Sequence, residues 1–473
     1  MVVSLGRSAG EIIDALSGAT TRVLAPDLLL SVVWIQYPSL GEPMDRATQE
    51  ILDDIESSRE EMAELTLELA NTYAPAGHER PVAKVVDAWY RRHGLDSRIV
   101  PIIEDRANVV ARVPGSNHGR SLLFNAHLDT EASGHDYDTL MQVPDPNKVG
   151  GWRDEDRLFG HTVLNDRHAH ALMMIAARAI HRNGVALAGD MVLTSVAGET
   201  GSAPVDEYQG MRYEGKGLGS SYLVRHGVRA DYALVSETTD FAMCWHACGA
   251  AYFKVTLRGR NMYTPRLQRT EDMSTHPNAI VKAAAVVQAI EQWAIEFEEK
   301  RTGRTPCGEV RPKAQVGAIR GGIPYRPNRS APYCALYVDV RTLPGEDPSE
   351  VQRALRAVLD DTGVNADLEL IMAKPGVLGQ GVEPLTKAIV AAHRAIRGTD
   401  PPREAEPAVV SMWRDQNVFN AAGIPAVNFG PSRGSAAVQG TGSIELNDMI
   451  DASKMYALTT LQIAGGLDPV AIG

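Results

Sequence analysis

The sequence predicts an α/β protein, a mostly parallel twisted sheet, with a second α+β unit inserted into it. Three observations carry that expectation. Apolar runs of strand length alternate with stretches of helical periodicity, and polar residues stand at the carboxyl ends of the runs. From about residue 249 the alternation gives way to the order β-α-β-β-α-β, the split ferredoxin-like arrangement. At 473 residues the chain also has room for more than one domain.

Taken in order, residues 1–43 lack clear amphipathic periodicity and end among Pro38, Gly41 and Pro43. They read as an N-terminal extension, as sequence ahead of a start at Met44, or as a docked extra helix. Helical periodicity covers 47–72 and is stopped by Pro75 and Gly77; a second helix over 79–93 closes on Gly94. Strands are expected over 98–103, 108–113 and 122–126, then a polar loop over 134–151. A helix over 169–183 and strands over 190–196 and 231–236 complete the first part, 44–248. The insertion, 249–373, reads as strand 252–258, helix 278–298, strands 314–320 and 333–341, helix 348–360 and strand 367–372. Residues 374–473 return to the sheet domain with helix 384–397, strands near Val409 and over 426–429, and a last helix over 448–464.

Composition narrows the function classes. Hydrophobic residues at 44% and charged residues at 22% suit a soluble globular enzyme. A net charge of −12 argues against nucleic acid or an anionic membrane surface as partner, because both reward basic patches. The apolar run at 23–35 is broken by Pro26 and Asp27 and is too short to span a bilayer. Cys244, Cys248, Cys307 and Cys334 are too few and scattered for a disulfide framework, so they read as reduced thiols in a cytoplasmic protein.

The polar strand ends hold the chemistry. The run SLLFNAHLDT, 121–130, delivers His127 and Asp129, which share one face of a strand. A carboxylate beside an imidazole fixes its tautomer, as around many metal-ligating histidines; a strand end with two solvated polar residues is the plain alternative. Asn165 and Asp166, Glu199 and Glu237 stand at comparable places. Histidine with carboxylates is the ligand set of a zinc- or manganese-type hydrolytic site. Arg326, Arg341 and Arg414 are candidates to hold a substrate carboxylate, or to form structural ion pairs. His161, His168 and His170 are either ligands or solvated helix-start residues, and Trp245 with His246 faces a cleft or packs in the core. His78, His93, His118, His181, His226 and His393 read as surface residues, and the acids over 53–64 as a solvated helix face. The glycine-rich GKGLG loop at 215–219 lacks the strand–turn–helix context of a phosphate site.

With these residues in this order, the chain from Met44 onward resembles the acetylornithine deacetylase, succinyl-diaminopimelate desuccinylase and carboxypeptidase G family of metal-dependent amidohydrolases. The resemblance implies a zinc-peptidase-like catalytic domain and a ferredoxin-like lid that mediates a homodimer. It implies His127 and Glu237 as ligands of one metal, with Asp129 orienting His127. Arg341, Asn328, Asp415 and the segments around Gly423 and Gly430 also match. Four departures stand out. Asn165 replaces a bridging aspartate, and Gly198-Glu199 replaces a pair of glutamates. Between Gly430 and Asp448 there is no histidine, Gln439 being the nearest substitute, and Tyr263 stands for a lid histidine. The expectation is therefore one tightly held divalent metal (zinc, manganese or cobalt) per subunit, on His127, Glu237, Asn165 and Glu199. Asp166 or one of the three nearby histidines is the further candidate ligand. Glu199 serves as ligand or base, Tyr263 as oxyanion donor, and Asn328, Arg341 and Arg414 as substrate contacts. The implied reaction is hydrolysis of a C–N bond in a small carboxylate such as an N-acyl amino acid. Deamination, or metal binding without hydrolysis, are the alternatives.

Overall fold

The structure is a computed structural model and describes residues 45–131, 149–438 and 441–465. The central sheet has six strands in the order Asp96–Ile103, Arg106–Val113, Met191–Val196, Leu122–His127, Tyr232–Ser236, Ala426–Phe429. The last four run parallel; the first two form an antiparallel edge. Alternate residues of Leu122–His127 face opposite layers, as a strand requires. Leu122, Phe124 and Ala126 pack with the helices Arg46–Ser57, Arg59–Asn71, His168–Arg182, Glu383–Arg397 and Leu446–Ala464. Leu123 packs on the other side with Leu223, Val224 and Phe419, from the helices Leu218–Arg225 and Gln416–Ala421. With both faces covered, the parallel strands are buried along their whole length and mostly apolar, with Asn125, Thr194, Ser195 and Asn428 as buried polar exceptions.

The insertion is a four-stranded antiparallel sheet in the order Ala314–Gly321, Tyr333–Thr342, Gly249–Arg258, Ala366–Lys374. The helices Ala279–Arg301 and Pro348–Asp361 share its core. Each is capped by the residue before it. Asn278 accepts from the amide of Ile280 at 3.0 Å, and Asp347 from that of Ser349 at 2.9 Å.

Some elements depart from expectation for local reasons. The helix expected over 47–72 is two, Arg46–Ser57 and Arg59–Asn71. The Ser58 hydroxyl bonds back to the carbonyl of Asp54 at 2.6 Å and competes with the helix. Val409 lies in a short helix, Pro407–Ser411, not a strand: Pro407 starts it. Helix Leu218–Arg225 and a small sheet joining Trp152–Asp154, Arg157–Phe159, Thr441–Glu445 and Gly434–Val438 were not anticipated. His393 is buried, its Nδ1 2.7 Å from the carbonyl of Thr399, rather than on the surface. Residues 1–43, 134–148 and Gln439 lie outside the described residues. Among the described residues no helix is long and apolar enough to cross a membrane, and all four cysteines are free and buried.

One buried ion pair ties the sheet edge to the loop ahead of Leu218. Arg106 and Glu79 have fully buried side chains and meet at 2.7 and 2.9 Å; Arg106 also donates to the carbonyls of Met211 and Glu214. Removing one member of such a pair leaves an uncompensated buried charge. Glu79→Gln should therefore lower stability by about 3–5 kcal/mol, read as a shift in the denaturant midpoint; an unchanged midpoint would contradict this account.

Candidate metal centre and cleft

The parallel strands end at one edge of the sheet, where open α/β sheets place their sites. His127 ends its own strand, Glu237 directly follows Tyr232–Ser236, and Glu199 stands just beyond Met191–Val196. Asp166 arrives from the turn before helix His168–Arg182, where Asn165 (φ −129°, ψ 78°) and Asp166 (φ −141°, ψ 35°) leave helical geometry. The neighbouring Arg167 is buried and fixes that turn by donating to the carbonyls of Leu69, Leu128 and Ala74.

His127, Asp166 and Glu237 each present one donor atom, all within 4.8 Å of one another. Nδ1 of His127 lies 2.8 Å from the backbone oxygen of Asp129, so it donates there and leaves Nε2 as the ring atom turned to the neighbouring acids. Nε2 is buried with no hydrogen-bond partner, and so are both carboxylate oxygens of Asp166. Nε2 stands 4.0 Å from Glu199 Oε2 and 4.0 Å from Glu237 Oε1. Unpartnered buried donors of this kind demand an explanation, and a divalent cation fits: an imidazole and two carboxylates suit zinc or manganese.

Electrostatics point the same way. Burial pushes Asp166 well above the usual carboxylate range, and the charge of Glu237 adds to it. Burial works against a charge on His127, yet Asp129, Asp166 and Glu199 carry its pKa well above the ordinary value. Burial also raises Glu199, against the pull of Lys216 and His127.

The cleft beside this centre has a volume of about 940 Å³ and takes residues from both units. Asn165, Glu199, Lys216, Glu237, Trp413 and Arg414 come from the sheet domain, and Tyr252, Arg311, Lys313 and Arg341 from the insertion.

The expected site residues divide as follows. His127 and Glu237 meet as the reading requires, but the third member of the group is Asp166; Asn165 lines the cleft beside it, its Oδ1 buried and unpartnered. Asp129 touches His127 through its backbone oxygen, while its carboxylate, 3.7 Å from Nδ1, accepts from the amides of Glu199 and Thr200 at 3.0 and 2.8 Å. It thus braces the loop that carries Glu199. Arg414 lies 3.6 Å from Glu237, and Arg341 is bonded to Asp339 at 2.9 and 3.2 Å. Tyr263, 46% exposed, and Asn328 sit together on the insertion and line no part of this chain's cleft; the Thr264 amide donates to the Asn328 carbonyl. Arg326 is exposed. His170 is a core residue bonded to Ser195 and to the carbonyl of His127, and burial lowers its pKa to about 3. His161 lines the cleft; Trp245 and His246 do not. Lys216 and Trp413 were missed, since nothing periodic marks either.

The fold and the site together define a class: an α/β domain with a candidate metal centre at its strand ends, carrying an inserted α+β domain. Residues 269–367 match the family model M20_dimer, a peptidase dimerisation domain. Over most of its length the chain has the fold of M20 peptidases. Human carnosine dipeptidase 1 is 12% identical, with 88% of this chain and 100% of that one covered at a TM-score of 0.61. The YXEP protein of Bacillus subtilis, a dinuclear metal-binding peptidase of the M20 family, is 12% identical, with 87% and 100% covered at 0.57. In sequence, N-formyl-4-amino-5-aminomethyl-2-methylpyrimidine deformylase of Bacillus subtilis (strain 168) is 23% identical over 203 residues. That match spans 42% of this chain and 43% of the deformylase, less than half of either.

Beneath the centre, Asp415 accepts from Asn125 at 3.0 Å and Ser220 at 2.7 Å, and its other oxygen has no partner. Burial pushes its pKa up to about 7, with the charge of Glu199 adding to the shift. A folded pKa raised above the unfolded value gives stability that is complete below about pH 4 and lost as pH rises through about 7. In metal-free protein, Asp415→Asn should therefore gain on the wild type between pH 4 and 7, by up to about 4 kcal/mol. Parallel denaturation curves at pH 4.5 and 7.5 would show it; a gap that stays constant with pH would not fit.

Proposed function

We propose that this chain is a metal-dependent hydrolase of the amide bond in a small carboxylate-bearing substrate, such as an N-acyl amino acid. It acts in the manner of the acetylornithine deacetylase and carboxypeptidase G enzymes, as a homodimer joined through the insertion. The observation that carries the reading is the convergence of His127, Asp166 and Glu237, the first two on unpartnered donor atoms, with Glu199 4.0 Å from His127. The dimerisation-domain match supports the dimer, and the deformylase likeness supports removal of a small acyl group.

His127, Asp166 and Glu237 would hold one divalent ion, which supplies Lewis acidity for carbonyl and water alike. Glu199 stands in the cleft beside the ligands, and burial has already raised its proton affinity toward the range useful to a general base. It takes a proton from the attacking water as the new C–O bond forms, then passes it to the amide nitrogen as the C–N bond breaks. The products are a carboxylic acid and an amine. Arg414 holds Glu237 in place, and Asp129 holds the turn of Glu199. Tyr263 and Asn328, placed together outside this chain's own cleft, would serve that of a second copy.

Glu199→Gln should lower kcat on an N-acyl amino acid panel by about 10²–10⁴ while leaving bound metal unchanged. If the variant turns over at the wild-type rate, Glu199 is not the base. Elemental analysis of purified protein should find one divalent ion per chain, and fewer in Asp166→Asn. Two ions per chain would overturn the single-metal arrangement.

A further inference from the structure

The GKGLG loop has a use other than phosphate binding. Segment 215–218 is laced by backbone hydrogen bonds to the segment carrying Glu199. Gly215 N donates to Ser202 O, Lys216 N to Thr200 O, and Gly217 N and Leu218 N to Gly198 O, at 2.9–3.2 Å. Lys216 is thereby fixed beside Glu199, only 6% exposed, on the wall of the cleft. Its ammonium lies 5.5 Å from the centre of the Trp413 ring and makes no ion pair or hydrogen bond among the described residues. A side chain at Gly201 would meet Tyr252 Oη at 2.8 Å and Lys216 Cε at 3.4 Å, so the glycine leaves space for both.

A buried ammonium with no directly bonded anion is costly: burial opposes its charge here, and only the more distant field of Glu199, Asp339 and Asp129 favours it. The arginines expected to bind a substrate carboxylate already have acids: Asp339 for Arg341, and Glu237 for Arg414. Two further donors nearby in the chain, Trp413 Nε1 and Arg414 Nη1, are buried without partners. Resting on the hydrolase reading for the identity of the ligand, we propose that Lys216, seated on Trp413, is the receptor for the substrate's carboxylate. The cleft then selects acylated molecules with a free carboxylate close to the scissile amide, and rejects their neutral amides.

The test uses the purified full chain and a panel of N-acetyl amino acids, each paired with its carboxamide, in calorimetric titrations. The wild type should bind at least one acid about 10- to 100-fold more tightly than its amide, the scale of one charge-assisted hydrogen bond. K216M should lose that preference, and K216R should keep part of it. An undiminished preference in a folded K216M, or no carboxylate-dependent binding by the wild type anywhere in the panel, overturns the proposal. Should K216M fail to fold, acetic anhydride labelling of the wild type decides. A bound acid should shield Lys216 in the peptide map, and equal labelling with and without it removes the site. Turnover of the same panel reports separately on the hydrolase. Carboxylate-selective binding without turnover sinks the reaction and keeps the receptor, whereas turnover with unchanged binding by K216M does the reverse.

Discussion

Mutual repulsion among Asp166, Glu199 and Glu237, gathered around one imidazole in a water-poor corner, is the load that this structure is built to bear. Each carboxylate is buried, and their negative charges reinforce one another. No such group persists unless the backbone behind it is over-determined. Here every carrier segment has its own brace. Asp129 holds the turn of Glu199, Arg167 ties the Asp166 turn to three other segments, and Arg414 lies against Glu237. A dication at the centre converts this repulsion into ligation, which is why the corner reads as a metal centre and not as a set of unrelated acids.

What the sequence made legible follows from periodicity. His127, Glu199 and Glu237 each stop an apolar run, and a parallel sheet brings the ends of such runs to one edge. The lid order was equally legible, because its strands and helices differ in length and period. Asp166 was harder to separate from Asn165. In a turn that has left helical geometry, no repeat says which of two adjacent side chains faces inward, and the one-residue choice was decided by the anchoring of Arg167. Lys216 was hidden for another reason. It is placed by backbone hydrogen bonds between two irregular segments, and these leave no mark on side-chain pattern. The break at Ser58 likewise came from one hydroxyl competing for a carbonyl, below the resolution of a hydrophobic repeat.

The cleft joins two units with different duties. The sheet domain supplies rigid groups whose positions are set by strand ends. The insertion supplies Tyr252 and Arg341 from neighbouring antiparallel strands, Ala250 pairing with Arg341 and Tyr252 with Asp339. Tyr252 donates to the carbonyl of Gly201 at 3.2 Å, so the insertion rests directly on the loop that follows Glu199. Farther along the same loop, Asp206 takes hydrogen bonds from Lys254 and Tyr337. Any movement of the insertion is therefore felt first by the segment that carries Glu199 and is hydrogen-bonded to Lys216.

The same packing explains why the pair Gly198-Glu199 holds one acid and not two. Gly198 has φ +72°, and a Cβ built there would stand 2.4 Å from Nη2 of Arg106. That guanidinium cannot retreat, since Glu79 and the carbonyls of Met211 and Glu214 hold it from the other side. A second glutamate at this position would need the Glu79–Arg106 pair to be dismantled and the backbone to leave the left-handed region that glycine permits. On the far side of Glu199, the Thr200 amide and hydroxyl are committed to Asp129. Flanked in this way, Glu199 faces the cleft from between a glycine and a threonine that are both committed elsewhere. Beyond it the cleft carries a fixed cation of its own, Lys216, whose amide is anchored on the carbonyl of Thr200 in the same loop.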